Sequence, residues 1–534
     1  MAKLMILPAI GVWPMLEYEL DVTERHLASG QEVVFLVCEG NAPFCPANLT
    51  MKKRICSECQ SRVRSGINWL GRDRPNLTIG SLYNVSMTEK AMSRRLAQAV
   101  GQGRTTDLND LPVGLRGTDW YEAAYSTLQT TFKELRPDLA ARRQLYENIL
   151  EDYFQAYFSF HANYRQHQPD TVWIYNGRIT RYRPALRAAQ KSHLRVYTYE
   201  YPLHGFKRYV VFEGQYLHDF GFRSRVWKER FEKYPLPEDK KLDIGDRWFR
   251  KRLHRVQLGY EKVFSSLQVK DMLPEDWNGD RYNIAVFNSS EWESAGVPES
   301  KRWAYEDQYS ALESIFRDTE HLSNIHFTFR IHPHLAKRDP DSVTRFMTLS
   351  RFSHVTVLPP SSKYDTYALI MACGLTLTFY SLVGVEAAYL GKPVICIGPT
   401  PYQDFGCAYL PRTHEELIDA LTHREEARGR FPLVEKARYG AKAFAFARTF
   451  SGEKVKYVVK RNYYRALMRK NGVLTEIRAG IWIKILNRTL SLPHYLIETV
   501  QRIRKDEMLR HEISRSPASA IVRFIRERIF GTVP

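Results

Sequence analysis

The chain has 534 residues, 44% hydrophobic and 13% aromatic, enough to bury two full cores and too much for a single small binding module. It carries 78 Lys+Arg against 59 Asp+Glu, a net charge of +19 that favours polyanionic partners such as phosphates, acidic glycan or anionic lipid. The stretch from Ser451 to Pro534 holds 18 basic and 7 acidic residues, so the excess is concentrated in a tail.

The opening MAKLMILPAIGVWPML has the lone Lys and apolar run of a secretory leader. Pro8, Gly11 and Pro14 interrupt it, and Glu17 and Glu19 follow without a small-residue cleavage site, so the expectation is a buried strand. The next elements are strand Lys3 to Leu7, helix Met15 to Ser29 with Gly30 as its stop, and strand Glu32 to Cys38, the start of a parallel βαβ unit. Residues from about Gln60 to Gln168 read as largely helical, with an aromatic-rich stretch from Tyr121 to Tyr164. TVWIYNGR (Thr171 to Arg178) ends a strand, RPALRAAQ continues as helix, and LRVYTYE (Leu194 to Glu200) is the next strand. Between Phe220 and Asp280 a charged, Trp-containing segment suits a connection. A second βα series follows: YNIAVFNSS, a helix through YSALESIFRD, IHFTFRIHPH, HVTVLP, LTLTFYS and VGVEAAYLGKPVICIG. The uncharged run Thr366 to Val385 matches a membrane span in length, but its Gly, Ser and Thr content reads as strand, turn and helix.

The expected fold class is therefore α/β, with two Rossmann-like domains, a helical insertion and a basic helical C-terminal tail. The divisions are 1–220 for the N-terminal domain, 221–280 for the connection, 281–450 for the second domain and 451–534 for an amphipathic tail. That tail suits a membrane surface or packing across the domains. With no leader or span read from the sequence, a cytoplasmic location is expected, with peripheral contact at an inner membrane. Nucleic acid is not an expected partner, because the Lys/Arg excess comes without a recognisable nucleic-acid-binding motif.

The chemistry concentrates in FRIHPHL, Phe329 to Leu335. A residue before proline is pushed out of the helical region, so His332 should stand in extended backbone where the strand stops, with Arg330 and His334 beside it. Ligands of parallel α/β sheets bind at such strand ends. In the second element, Thr378 to Gly398, Ser381 can cap a helix, Gly384 lets its start approach a ligand, and Glu386 can accept from ribose hydroxyls. Free N–H groups and the positive helix end make a phosphate cradle. Singly, each residue reads as a turn histidine, a plain cap or a first-turn acid; together they point to a diphosphate site.

Cys38, Cys45, Cys56 and Cys59 cluster in CEGNAPFCPANLTMKKRICSEC. Four thiolates can ligate zinc, but the gaps match no standard finger, so a structural zinc and four free thiols stand level. No cofactor is expected for the chemistry itself.

R-x-H-P followed some fifty residues on by Y-S-x-x-G-x-E-A-A-x-x-G-K-P-V-I resembles the nucleotide-binding half of capsule polysaccharide biosynthesis glycosyltransferases of the GT-B fold, over roughly Tyr282 to Leu421. It is also similar to bacterial sialyltransferases and Kdo transferases. The resemblance implies a nucleotide-sugar donor and a glycan or lipid-linked acceptor in surface polysaccharide synthesis. His332 and Ser381 would hold donor phosphate, Glu386 the ribose, and Asn288, Ser289 and Ser290 the loop facing the cleft, with Arg330 and Gly384 in the same donor site. Leu382 replaces a second serine, against a cytidine-monophosphate donor, and Thr378 stands where many retaining enzymes carry a glutamate, in favour of inversion. An inverting transfer needs a base. Glu200 is the candidate from the N-terminal half, with Arg178 as a candidate acceptor or phosphate contact, although each also reads as a strand-end ion-pair residue. The competing readings are a teichoic-type polyol-phosphate transferase, distinguished by a phosphodiester product, and a non-catalytic polysaccharide assembly protein.

Overall fold

A computed structural model describes residues 2–478, except 10–14, 104–114, 116–117, 193, 201–207, 257–263, 295, 301–304, 424 and 463–464. The first half opens with β1 (Lys3–Leu7), α1 (Met15–Ala28), β2 (Glu32–Val37), α2 (Lys53–Leu70) and β3 (Leu77–Ser81). The helical insertion follows as α3 (Met87–Gly101), α4 (Trp120–Phe132) and α5 (Arg143–His167). Then come β4 (Thr171–Tyr175), α6 (Arg183–Lys191), β5 (Arg195–Glu200) and β6 (Arg208–Glu213). β5-β4-β1-β2-β3 run parallel, and β6 joins antiparallel beside β5. The parallel strands read as near-continuous apolar runs because helices cover both faces: Leu4, Met5, Ile6, Val172 and Ile174 are all buried.

The expected connection is not a loose linker. It forms α7 (Phe220–Lys233) and α8 (Glu238–Leu253), whose Trp227, Phe231, Trp248 and Phe249 join the core of the second half. That half contains β7 (Tyr282–Phe287), α9 (Gln308–Thr319), β8 (Ile325–Arg330), α10 (Leu335–Arg338), α11 (Pro340–Met347), β9 (Val355–Leu358), α12 (Thr366–Ala372), β10 (Leu375–Thr378), α13 (Leu382–Tyr389), β11 (Val394–Cys396), α14 (His414–Thr422) and α15 (Val434–Phe450). Its sheet is fully parallel in the order β11-β10-β7-β8-β9. Two parallel α/β sheets in succession are the expected Rossmann-like pair. The uncharged run 366–385 is divided among α12, β10 and α13, and among the described residues no helix is long and apolar enough to cross a membrane.

The tail corrects the expectation of helix where it is described. β12 (Glu453–Lys454) pairs antiparallel with β6, and β13 (Val458–Asn462), β14 (Arg465–Lys470) and β15 (Val473–Arg478) form a three-stranded antiparallel sheet. Alternation explains it: Met468, Lys470 and Ile477 share the inward face of β14 and β15, whereas Arg469 and Leu474, on the opposite face, are exposed. The basic and apolar segments beyond residue 478 lie outside the described residues.

Acids of α1 carry the docking of this sheet. The Asp21 carboxylate accepts from the backbone N–H groups of Lys456 at 2.7 Å and Tyr457 at 2.6 Å, and Lys470 reaches Glu24 at 2.8 Å. Asp21→Ala would leave two N–H groups without their acceptor. A loss of about 2 to 4 kcal/mol is expected in urea unfolding, at roughly 1–3 kcal/mol for each unsatisfied buried group.

Glu19, also buried on α1, accepts from the Ala9 N–H and the Tyr199 hydroxyl, and burial pushes its carboxyl up to about 8. A raised carboxyl binds more protons folded than unfolded, so its contribution to stability is complete below about 4.5 and falls as pH rises towards 8. Glu19→Gln should therefore gain stability on wild type between pH 5 and pH 8, at up to roughly 1.4 kcal/mol per pH unit. Thermal unfolding across that range checks it; parallel curves would refute it.

Candidate functional site

In the second sheet the chain moves outward from β7 through β8 to β9, then returns to place β10 on the other side of β7. The crevice between β7 and β10, at their carboxyl ends, is thus a topological switch point, where ligands of open α/β sheets bind. Asn288, Ser289 and Ser290 leave β7 there, His332 follows β8, and Ser381 follows β10. All five residues, with Arg330 and Glu386, line one cavity of about 370 Å³. The sequence-predicted donor residues are brought together except Gly384, which is not in the lining.

His332 is half-buried in the extended turn expected of a residue before proline. Its backbone N–H donates to Asn288 Oδ1 at 2.7 Å, and its Nδ1 accepts from the His334 N–H at 3.2 Å, which leaves the ring proton on Nε2. Burial, with His334 and Arg330 nearby, pulls the ring down to about 4, so it is a neutral donor at physiological pH. Phe264 packs against both His332, with ring centroids 5.5 Å apart, and His334, at 6.1 Å. The Asn288 Nδ2 and Ser289 Oγ are buried without a hydrogen-bond partner among the described residues. Buried donors in folded proteins are almost always satisfied, so these two suit a bound acceptor.

Ser381 caps α13, its Oγ accepting from the Val383 N–H at 3.3 Å. Glu386, one turn on, is held by Arg252 of α8 at 2.5 Å. Gly384 has a different reason to be glycine from the one expected: a Cβ there would collide with the Tyr402 hydroxyl and Thr378, so the constraint is internal packing rather than approach to a ligand. Arg330 is also more structural than expected. It is buried, pulled down to about 10 by burial, and donates to the carbonyls of Tyr364 at 2.6 Å and Ser362 at 2.9 Å. Its guanidinium holds the 359–365 loop, which leads into the cavity residues Thr366 and Tyr367.

The residues expected from the N-terminal half stand elsewhere. Glu200 ends β5 and accepts from Asn176 after β4; it does not line this cavity. Arg178 is buried and spans the two halves, donating to the Glu293 carbonyl and to Thr130 Oγ1 at 2.6 Å. Both are committed to internal bonds that position loops. Asp339, in the Asp-x-Asp of Asp339 and Asp341, caps α11. Asp339 is buried and accepts from Ser342 N–H at 3.1 Å and from Leu135 N–H at 3.0 Å.

Three charged residues of the cavity were not singled out from sequence: Glu293, Arg252 and Arg448. Glu293 is half-buried, and burial pushes its carboxyl up against the opposing pull of Arg178, Lys133 and Arg223. Lys133, cap residue of α4, is pulled down to about 8 by burial and lies 4.3 Å above the Trp292 ring. Arg448 is buried near Arg223 and Arg252, and its guanidinium is pulled well down. The only signal for Glu293 was its place in FNSSEWE, directly after the serines already chosen.

At the other end of the N-terminal sheet's loops, burial pushes the Cys45 thiol up to about 11, with Cys38 and Cys56 near enough to add to it, and Asn48 Nδ2 lies 3.3 Å from Cys56 Sγ. Among the described residues no group of three or more His, Cys, Asp or Glu is arranged to hold a metal ion, and all four cysteines are free thiols.

No family model matches the chain, and no curated protein matches it. Among solved structures, it is similar to a beta Kdo 2,4 transferase, KpsC, of Thermosulfurimonas dismutans, at 16% identity over 60% of this chain and 87% of that one, with a TM-score of 0.34. A UDP-GlcNAc 2-epimerase from Neisseria meningitidis aligns at 12% identity over 83% and 97% of the two chains, TM-score 0.28. The spinosyn rhamnosyltransferase SpnG aligns at 10% identity over 84% and 95%, TM-score 0.23.

Proposed function

We propose that the protein transfers a sugar from a nucleotide-sugar donor to a glycan or lipid-linked acceptor, with inversion, in the building of a surface polysaccharide. The observation that carries this reading is the convergence of a neutral His332, the donors of Asn288 and Ser289, which have no partner among the described residues, and the mouth of α13 at one switch-point cavity. These groups offer hydrogen-bond donors and a positive helix end to a diphosphate.

In the step we infer, the acceptor hydroxyl oxygen attacks the anomeric carbon, the bond from that carbon to the phosphate oxygen breaks, and the nucleotide leaves with the electron pair. His332 Nε2–H, Asn288 Nδ2 and Ser289 Oγ–H donate to the leaving phosphate as charge builds on it. Glu293 takes the acceptor proton; its raised carboxyl makes it a better match to neutral pH than an ordinary glutamate. The base is thus assigned to Glu293 rather than Glu200. Glu386, steadied by Arg252, faces the ribose hydroxyls.

Thermal unfolding with CMP, UDP, UDP-sugar and GDP-sugar tests the donor site. A matching nucleotide at a hundred times its Kd should raise stability by about 2.7 kcal/mol, and the double variant His332→Ala/Ser381→Ala should lose that gain. Lack of protection by every nucleotide, or equal protection of the double variant, would sink the proposal.

A further inference from the structure

A second cavity, of about 310 Å³, lies away from the transfer site on the outer face of the N-terminal half, between α5 and α6. On α5 it is lined by Tyr153, Tyr157, Phe160, His161 and Tyr164, a spacing of three and four that puts all five rings on one helix face. On α6 it is lined by Pro184, Ala188 and Ser192, small residues four apart. A small face opposite an aromatic one leaves an open seam where helix packing alone would interdigitate. Phe160 and Tyr153 are buried and form the floor, while Tyr157, His161 and Tyr164 stay half-exposed along it. The rings are held in place: Tyr157 packs on His161 at 4.5 Å, and Phe160 stacks on Tyr164 at 6.2 Å with 21° between planes.

We infer that this seam is a binding groove for an acidic glycan chain. Sugar rings present one face of C–H groups and a rim of hydroxyls, which suits rings that join an apolar face to a polar edge better than it suits an aliphatic surface. Arg187 and Lys191 line the groove and, among the described residues, no carboxylate does; Arg187 is paired with Asp119 at 2.8 Å and Glu299 at 3.1 Å, so the positive charge left to a ligand is that of Lys191. The helix that forms one wall is also tied to the loop after Glu293. Arg187, at the groove wall, is bound to Glu299 at 3.1 Å, and Arg183, one turn earlier, donates to the Gly296 carbonyl at 2.9 Å. Both partners belong to the loop that follows Glu293. The inference rests on the glycan-building reading for its biological sense, but its ligand chemistry is independent of the donor site.

Isothermal titration of the full-length protein with hexagalacturonate, an acidic oligosaccharide, against neutral maltohexaose tests it. Wild type should bind the acidic chain at least tenfold more tightly than the neutral one. Tyr157→Ala/Tyr164→Ala should weaken that binding by at least tenfold, and Ala188→Trp, which fills the seam and leaves the rings in place, should abolish it. In both variants nucleotide protection at the other cavity should be unchanged, which separates failure of the groove from failure of the donor site. No binding of either oligosaccharide by wild type, equal affinity for both, or unchanged binding by Ala188→Trp would overturn the inference.

Discussion

Glu293→Gln should lower kcat by about a thousandfold while leaving nucleotide protection intact, within the roughly 10² to 10⁴ that a positioned general base supplies. The amide keeps the size and the hydrogen-bonding reach of the carboxylate but cannot accept the acceptor's proton. The pH profile provides the sharper readout. Burial pushes Glu293 up, so the acidic limb of kcat/KM in wild type should lie above the ordinary carboxylate range, with activity rising as pH rises through it. In the Glu293→Gln variant that limb should vanish. Glu200→Gln, by contrast, should retain the limb, because Glu200 is bonded to Asn176 and stands outside the cavity. A Glu293→Gln variant with wild-type kcat would remove Glu293 from the chemistry.

His332→Ala should cost about a hundredfold or more in kcat/KM, the scale of a single donor aimed at developing charge. Its signature differs from that of Glu293. Because the ring is pulled down to about 4 and its Nδ1 is occupied by the His334 N–H, the imidazole stays neutral and does not titrate between pH 5 and pH 9. The wild-type profile should therefore show no inflection near 6.5 from this residue, and His332→Gln, which keeps a donor, should recover part of the loss. An inflection near the ordinary histidine value that disappears in the Ala variant would mean that the histidine works as a titrating acid.

The parallel strands were legible because burial on both faces demands unbroken apolar runs, and β1, β2 and β4 read that way without context. His332 and Ser381 were legible because proline and helix-cap rules mark where strands stop, whereas Asn288 to Ser290 were legible only through the resemblance. Arg252 was not. Its carboxylate partner, Glu386, lies 134 positions away in sequence, and a basic stretch such as FRKRLHR reads as a solvated face until the fold turns one guanidinium inward. Gly384 illustrates a different limit: the need for glycine was visible, but Tyr402 as its cause was a tertiary fact. The strands at 453–478 escaped notice because charged residues interrupt the alternation, and the partner of β12, β6, lies more than 240 residues earlier.

The pairing of β12 with β6 also has a mechanical consequence. The chain passes from the first lobe to the second after β6 and comes back just before β12, and these two passages are hydrogen-bonded side by side, with Gly452 so close to the Tyr209 carbonyl that no Cβ fits. Two strands fastened together act as one pin. The two connections between the lobes therefore lie along one line, and any gaping of the cleft to admit a donor is expected to follow a single arc about it.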